Sequence, residues 1–247
     1  RSRASIRQTW YDFHEPRQQA IVLGLLLKGK HKPTVENYFL DLADKDTIEL
    51  SIAAEQVYGL VCRNDFSKPG FALIRLPEST TSSIQRMLMV NLKDHLAALF
   101  QTERGTGLSW FNMTRFDQKN TTKFHRDGAP SESLLILGYE PSKVHSEISM
   151  ADFSRCAHEL GITPDQFLED FNPMYEKGLE KLAPFISPVS KFDPAGFQIL
   201  VINNSSNPLQ PGKKRWQGVL HSALVSNGTG TRVINSTCVA PTDSAKT

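Results

Sequence analysis

Cysteine is scarce in this chain. Cys62, Cys156 and Cys238 are the three in 247 residues, and their odd number and wide spacing argue against a disulfide framework or a thiolate zinc site. A reducing, cytoplasmic setting is the expectation. Long apolar runs are also missing. The longest, AIVLGLLLKG at 20–29, is bounded by charge and falls short of the ~20 residues a membrane-spanning helix needs, and it lacks the small-residue cleavage site of a signal peptide. Neither charge sign prevails: Lys+Arg 28 against Asp+Glu 26 leaves +2, without a basic cluster carrying interleaved aromatics, which argues against a nucleic-acid surface. The chain shows no internal repeat and no low-complexity segment. Its expected partner is a small-molecule substrate, with no nucleic acid and no membrane.

What is present suits one globular domain over 1–247, since 39% hydrophobic residues build a substantial core. The apolar spacing in QQAIVLGLLLKG and VENYFLDLADKDTIELSIAAEQV predicts a helical N-terminal region over 1–57. YGLVCRN (58–64) reads as an edge strand and GFALIRLP (70–77) as a buried one. A supporting helix follows over 79–100, with apolar residues at helical spacing through Ile84, Met87, Leu88, Leu92, Leu96 and Leu99.

From 107 onward short β-rich segments alternate with Gly, Pro, Asn and Ser turns, the pattern of an antiparallel series. Residues 58–140 and 195–241 thus read as a mainly β core with flanking helices. Residues 141–194 interrupt the series with helix signals, among them Thr163-Pro164-Asp165-Gln166, which has the form of a capping box with proline at the first helical position. This helical insert is expected to act as a lid over the barrel mouth. Asn-x-Ser/Thr sequons at Asn112 and Asn235 fall in predicted strands, where a glycan does not fit, and are read as composition.

The chemistry-bearing stretch is TTKFHRDGAP (121–130). In a strand, His125 and Asp127 share a face about 7 Å apart while Arg126 points the other way. A His-x-Asp/Glu is weak evidence alone, since about one is expected by chance, and a second, His145-x-Glu147, sits in KVHSEIS. That segment directly precedes the helix signals of the insert and suits a loop better than a core strand. A second histidine from a late strand completes the two-histidine, one-carboxylate set that leaves positions open on non-haem Fe(II). His221 in GVLHSALV is the candidate. Ten residues then separate His221 from Arg232, and Asn227-Gly228 between them is a hairpin signal. Such a hairpin sets Arg232 beside Val225, roughly 13 Å along the strand from His221, a gap that suits a five-carbon diacid chelating the metal at one end and meeting the guanidinium fork at the other.

His125-x-Asp127, His221 and an arginine ten residues on resemble the Fe(II)/2-oxoglutarate-dependent dioxygenase superfamily, over about residues 107–241. The resemblance implies a double-stranded β-helix, or jelly roll, of eight strands. It implies His125, Asp127 and His221 as catalytic metal ligands for Fe(II), and 2-oxoglutarate and dioxygen as cosubstrates, with 2-oxoglutarate leaving as succinate and CO₂. Arg232 is then the cosubstrate anchor. Ser236, on the face of Arg232 by alternation, and Asn112, on a neighbouring strand, are candidates for further polar contacts to cosubstrate or substrate. An acid at 127, where halogenating members carry none, favours hydroxylation or a related C–H oxidation. A cupin-like metalloenzyme or a non-catalytic jelly-roll binder are the rivals, and neither requires Arg232.

Overall fold

Apolar runs bounded by turn residues become ten strands in this computed structural model, which describes residues 38–42, 49–226 and 229–242. The strands are β1 (Phe39–Asp41), β2 (Phe71–Arg75), β3 (Leu108–Asp117), β4 (Thr122–His125), β5 (Leu134–Tyr139), β6 (Ser146–Ala151), β7 (Ile186–Pro188), β8 (Gln198–Asn203), β9 (Leu220–Val225) and β10 (Val233–Pro241). They form a six-stranded sheet, ordered β1-β2-β8-β5-β10-β3, and a four-stranded sheet, ordered β4-β9-β6-β7. All pairs are antiparallel except β1 with β2.

Strands β5 and β8 are buried along their whole length, because both faces of the six-stranded sheet are covered. Leu200 and Ile202 of β8 meet Leu135 and Leu137 of β5 and Ile148, Met150 and Ala223 of the opposite sheet, so this cluster fills the space between the sheets. Ile199 and Val201 point the other way, into a second cluster with helices α1 (Leu50–Val61) and α2 (Ser82–Arg104). Helix α2 starts at Thr81, whose side chain accepts from the Ile84 N–H, and stops at Gly105 in the left-handed region. Its buried stripe runs Gln85, Leu88, Met89, Leu92, Leu96 and Phe100, and Ile84 and Met87 of the expected stripe are exposed.

Several sequence expectations change. The segment 58–64 is no edge strand: its first residues continue α1, whose stripe Ala53, Ala54, Val57 and Val61 keeps helical spacing through them. Phe39–Asp41, inside the expected N-terminal helical region, is a strand, held by its register with Leu73–Arg75. The helices expected before residue 38 and the Asn227-Gly228 turn lie outside the described residues. The 141–194 insert carries three helices, α3 (Phe153–Glu159), α4 (Pro164–Asp170) and α5 (Glu176–Leu182), but also β6 and β7 of the four-stranded sheet. The alternating KVHSEIS run thus leads into β6, in the middle of that sheet.

The capping box at Thr163 and Gln166 opens α4. These three helices bury Phe153, Cys156, Ala157, Phe167 and Leu182 against Phe124 of β4, Ala151 of β6 and Leu220 of β9. By strand alternation that is the outer face of the four-stranded sheet, opposite the face carrying His125 and His221. The packing of the insert therefore differs from the expected lid over the mouth: its apolar stripes are satisfied on the far side of the sheet. Among the described residues no helix is long and apolar enough to cross a membrane, and the three cysteines are free and buried.

Candidate metal centre

Strand β4 is an edge of the four-stranded sheet, and its register on β9 makes His125 and His221 direct cross-strand partners. Cross-strand partners share a face, so with Phe124 and Leu220 turned outward the two imidazoles face the inter-sheet space, with ring centroids 4.2 Å apart. Asp127 follows β4 by two residues and returns its carboxylate to the pair: Oδ1 lies 3.3 Å from His125 Nε2 and 3.9 Å from His221 Nε2. One donor atom from each residue falls within 4.8 Å of the others, and among the described residues this is the group of three or more that can hold a metal ion. The rival pair His145 and Glu147 is 3.6 Å apart and well exposed.

His125 Nδ1 lies 2.7 Å from the Lys123 carbonyl. A carbonyl only accepts, so Nδ1 carries the proton and the Nε2 lone pair is left for a metal. Burial pulls the His125 pKa down, but the Asp127 carboxylate beside it outweighs burial and leaves it raised. For Asp127, burial pushes upward, while the neighbouring His125 and the charge of Arg126 hold the carboxyl below its usual range. Burial, and then His125, hold His221 well below the ordinary histidine value and keep it neutral. Two imidazole nitrogens and one carboxylate suit a divalent first-row metal.

Arg232 lies just ahead of β10 and is 2% exposed. Its backbone N–H donates to Asp117 Oδ1 at 2.8 Å, Nε donates to Ser146 Oγ at 3.1 Å and Nη1 to Gln118 Oε1 at 2.8 Å. The guanidinium sits 5.2 Å from the Tyr139 ring centroid. Nη2 is buried with no hydrogen-bond partner within 3.5 Å among the described residues, although the Tyr139 hydroxyl interacts with the guanidinium, and a buried cationic N–H left unmade is costly unless a ligand completes it.

The expected β9–β10 hairpin is absent, since the two strands lie in different sheets and the connection crosses between them. Arg232 reaches the same neighbourhood by another route. Its partner Ser146 is the cross-strand partner of Val225, four residues along β9 from His221, roughly 13 Å at the strand rise.

Ser236 is half-buried on β10 opposite Leu137 and Thr114, on the Arg232 side of the strand. Asn112 is exposed on the edge strand β3 opposite Cys238, on that same side. Neither touches the His–Asp–His group in the contacts seen here. Tyr139, Ser146 and Gln118 surround Arg232 and escaped the sequence reading, because each comes from a different segment and carries no spacing signal. No family model matches the chain, and no curated protein does so significantly. Solved structures similar to it are those of HygX from Streptomyces hygroscopicus. The form with iron bound is 13% identical over 77% of this chain and 86% of that one, with a TM-score of 0.37. The form with nickel and 2-oxoglutarate bound is 16% identical over 78% and 79%, with a TM-score of 0.38. At that distance the likeness carries no weight for function.

Proposed function

We propose that the chain is an Fe(II)/2-oxoglutarate-dependent oxygenase on a double-stranded β-helix, hydroxylating or otherwise oxidising a C–H bond of a small- to medium-sized organic substrate. The observation that carries this reading is the His125, Asp127 and His221 group together with the unpartnered, buried Nη2 of Arg232, all turned to the space between the sheets. The architecture is in keeping with it, since after β3 the chain passes from the four-stranded to the six-stranded sheet and back repeatedly, the winding of a jelly roll.

The donor set fits the metal: two imidazoles and one carboxylate would hold a divalent ion and leave coordination positions for a chelating 2-oxo acid. The orphaned guanidinium N–H fits the distal carboxylate, and Nε and Nη1 are already fixed by Ser146 and Gln118, so the fork is oriented before a ligand arrives. When bound, Fe(II) and 2-oxoglutarate supply the oxidising chemistry: with dioxygen, R–H becomes R–OH as 2-oxoglutarate becomes succinate and CO₂. The chain's own part is to hold the ion through His125, Asp127 and His221, to fix the diacid through Arg232, and to keep water from the intervening wall of Leu137, Tyr139 and Ile148.

Anaerobic addition of Fe(II) and 2-oxoglutarate tests the reading without knowledge of substrate. A weak visible charge-transfer band is expected for the parent, absent when succinate replaces 2-oxoglutarate and absent in His125→Ala. A folded parent that shows no band at saturating concentrations overturns the proposal.

A further inference from the structure

Strand β4 ends at His125, so the chain has already left the four-stranded sheet when it supplies Asp127. A ligand on a free loop has to be ordered each time a metal binds, which costs affinity. Here one buried side chain stands where a neighbouring strand would be. The Asp127 backbone N–H donates to Asn204 Oδ1 at 3.0 Å, and Asn204 Nδ2 donates back to the Asp127 carbonyl at 3.1 Å. One side-chain amide thus takes both backbone groups of the ligand residue, as a paired strand does.

Asn204 is itself fully buried just past β8. Its backbone N–H donates to the Ser133 carbonyl at 2.9 Å, its Nδ2 donates to Ser133 Oγ at 3.1 Å, and that hydroxyl lies 3.2 Å from the Asn204 carbonyl. Arg126, between the two ligands in sequence, donates from Nε to the Asn204 carbonyl at 2.6 Å and from Nη2 to the Ala129 carbonyl at 2.6 Å and to the Pro130 carbonyl. The loop carrying Asp127 is closed onto Asn204 from both sides.

We propose that Asn204 is a positioning residue for the metal centre: its side-chain amide, held by Ser133 Oγ while Arg126 holds its backbone carbonyl, presets the Asp127 backbone so that the carboxylate meets His125 and His221 before any ion binds. The inference rests on the metal reading above. Asparagine is the residue required at this place. Aspartate has the shape but offers an acceptor to the Asp127 carbonyl, and serine is too short to span both groups.

Amide hydrogen exchange on the metal-free protein tests the geometry. In Asn204→Ala the segment carrying Asp127 is expected to exchange at least about tenfold faster, the loss of one or more net hydrogen bonds, while β5 and β8 keep their protection. Ni(II) titration tests the consequence. Asn204→Ala is expected to weaken Ni(II) about ten- to hundredfold, the usual effect of losing a partner behind a metal ligand, and to change nothing further in an Asp127→Ala background, because it acts through that carboxylate.

Ser133→Ala, which removes one lock from Asn204 and leaves its amide in place, is expected to cost about two- to tenfold and keeps the question open to test should Asn204→Ala not fold. Parental exchange at Asp127 in Asn204→Ala, or an equal Ni(II) loss with and without the Asp127 carboxylate, overturns the inference. A parent that binds Ni(II) no better than His125→Ala overturns the metal reading itself, and this inference falls with it.

Discussion

Among the buried side-chain nitrogens without a partner in the described residues are Nδ1 of His221 and Nη2 of Arg232 at the candidate site, and the second gives the sharpest test at residue scale. Lysine at 232 keeps the charge but loses the planar fork, and a charge-assisted hydrogen bond is worth about 1.5–3 kcal/mol. Arg232→Lys is therefore expected to weaken 2-oxoglutarate by about tenfold or somewhat more, and Arg232→Ala by more again. Both variants keep their Fe(II) affinity in the absence of cosubstrate, because Arg232 touches Ser146, Gln118 and Asp117 and none of the three ligands. Titration of 2-oxoglutarate against the iron-loaded proteins measures this, and an alanine variant with parental affinity removes Arg232 from the site. At this scale the site was legible in part: the His-x-Asp spacing nominated His125 and Asp127, but β4 ends at His125, so a loop and not strand alternation brings the carboxylate to the imidazole. The Asn204 amide behind Asp127 was not, since the two are 77 positions apart in sequence.

At the scale of elements, Glu140 at the end of β5 ties three others together. It accepts from Ser82 Oγ of α2 at 2.7 Å, from Asn235 Nδ2 of β10 at 3.0 Å and from Arg115 Nη2 of β3 at 3.1 Å. Burial raises its pKa, but these donors, led by Ser82 and Asn235, hold it below the usual carboxylate range. A carboxyl depressed in the folded state contributes stability that is fully present above its unfolded value, about 4.3, and is lost as pH falls through the lowered folded value. Tm is therefore expected to drop on acidification from about pH 5 to about pH 3, and Glu140→Gln is expected to lower Tm at neutral pH while flattening that drop. Thermal melts of both proteins across the range decide it; parallel pH profiles would mean that Glu140 contributes nothing through its charge. Element types were legible where a helical period was long, as in α2, or where a short apolar run stood between turn residues, as in β8. They were lost where a short segment takes its conformation from a partner, as β1 does from β2 and β6 from β9.

For the whole molecule, three apolar clusters share strands: the six-stranded sheet is buried on one face by helices and on the other by the second sheet, whose outer face carries α3–α5. The insert is thus continuous with the core, and the domain is expected to melt as one unit. Phe167, fully buried in α4, tests this. Phe167→Ala is expected to cost about 3–5 kcal/mol, which at about 2–4 °C per kcal/mol lowers the single Tm by roughly 6–20 °C. A separate low-temperature transition in calorimetry, leaving the main Tm in place, would instead make the insert independent. The sequence by itself determined the strand-rich segments of 107–241 and the α2 helix, because periodicity is a property of neighbours along the chain, and it nominated His125, Asp127 and His221 as a ligand set. Only the tertiary structure decided that β9 and β10 belong to different sheets, that the insert packs on the outer face, and that Ser146, Tyr139 and Asn204 frame the site. Those outcomes depend on which buried surfaces and unpaired polar groups meet across the fold, and no local pattern encodes that.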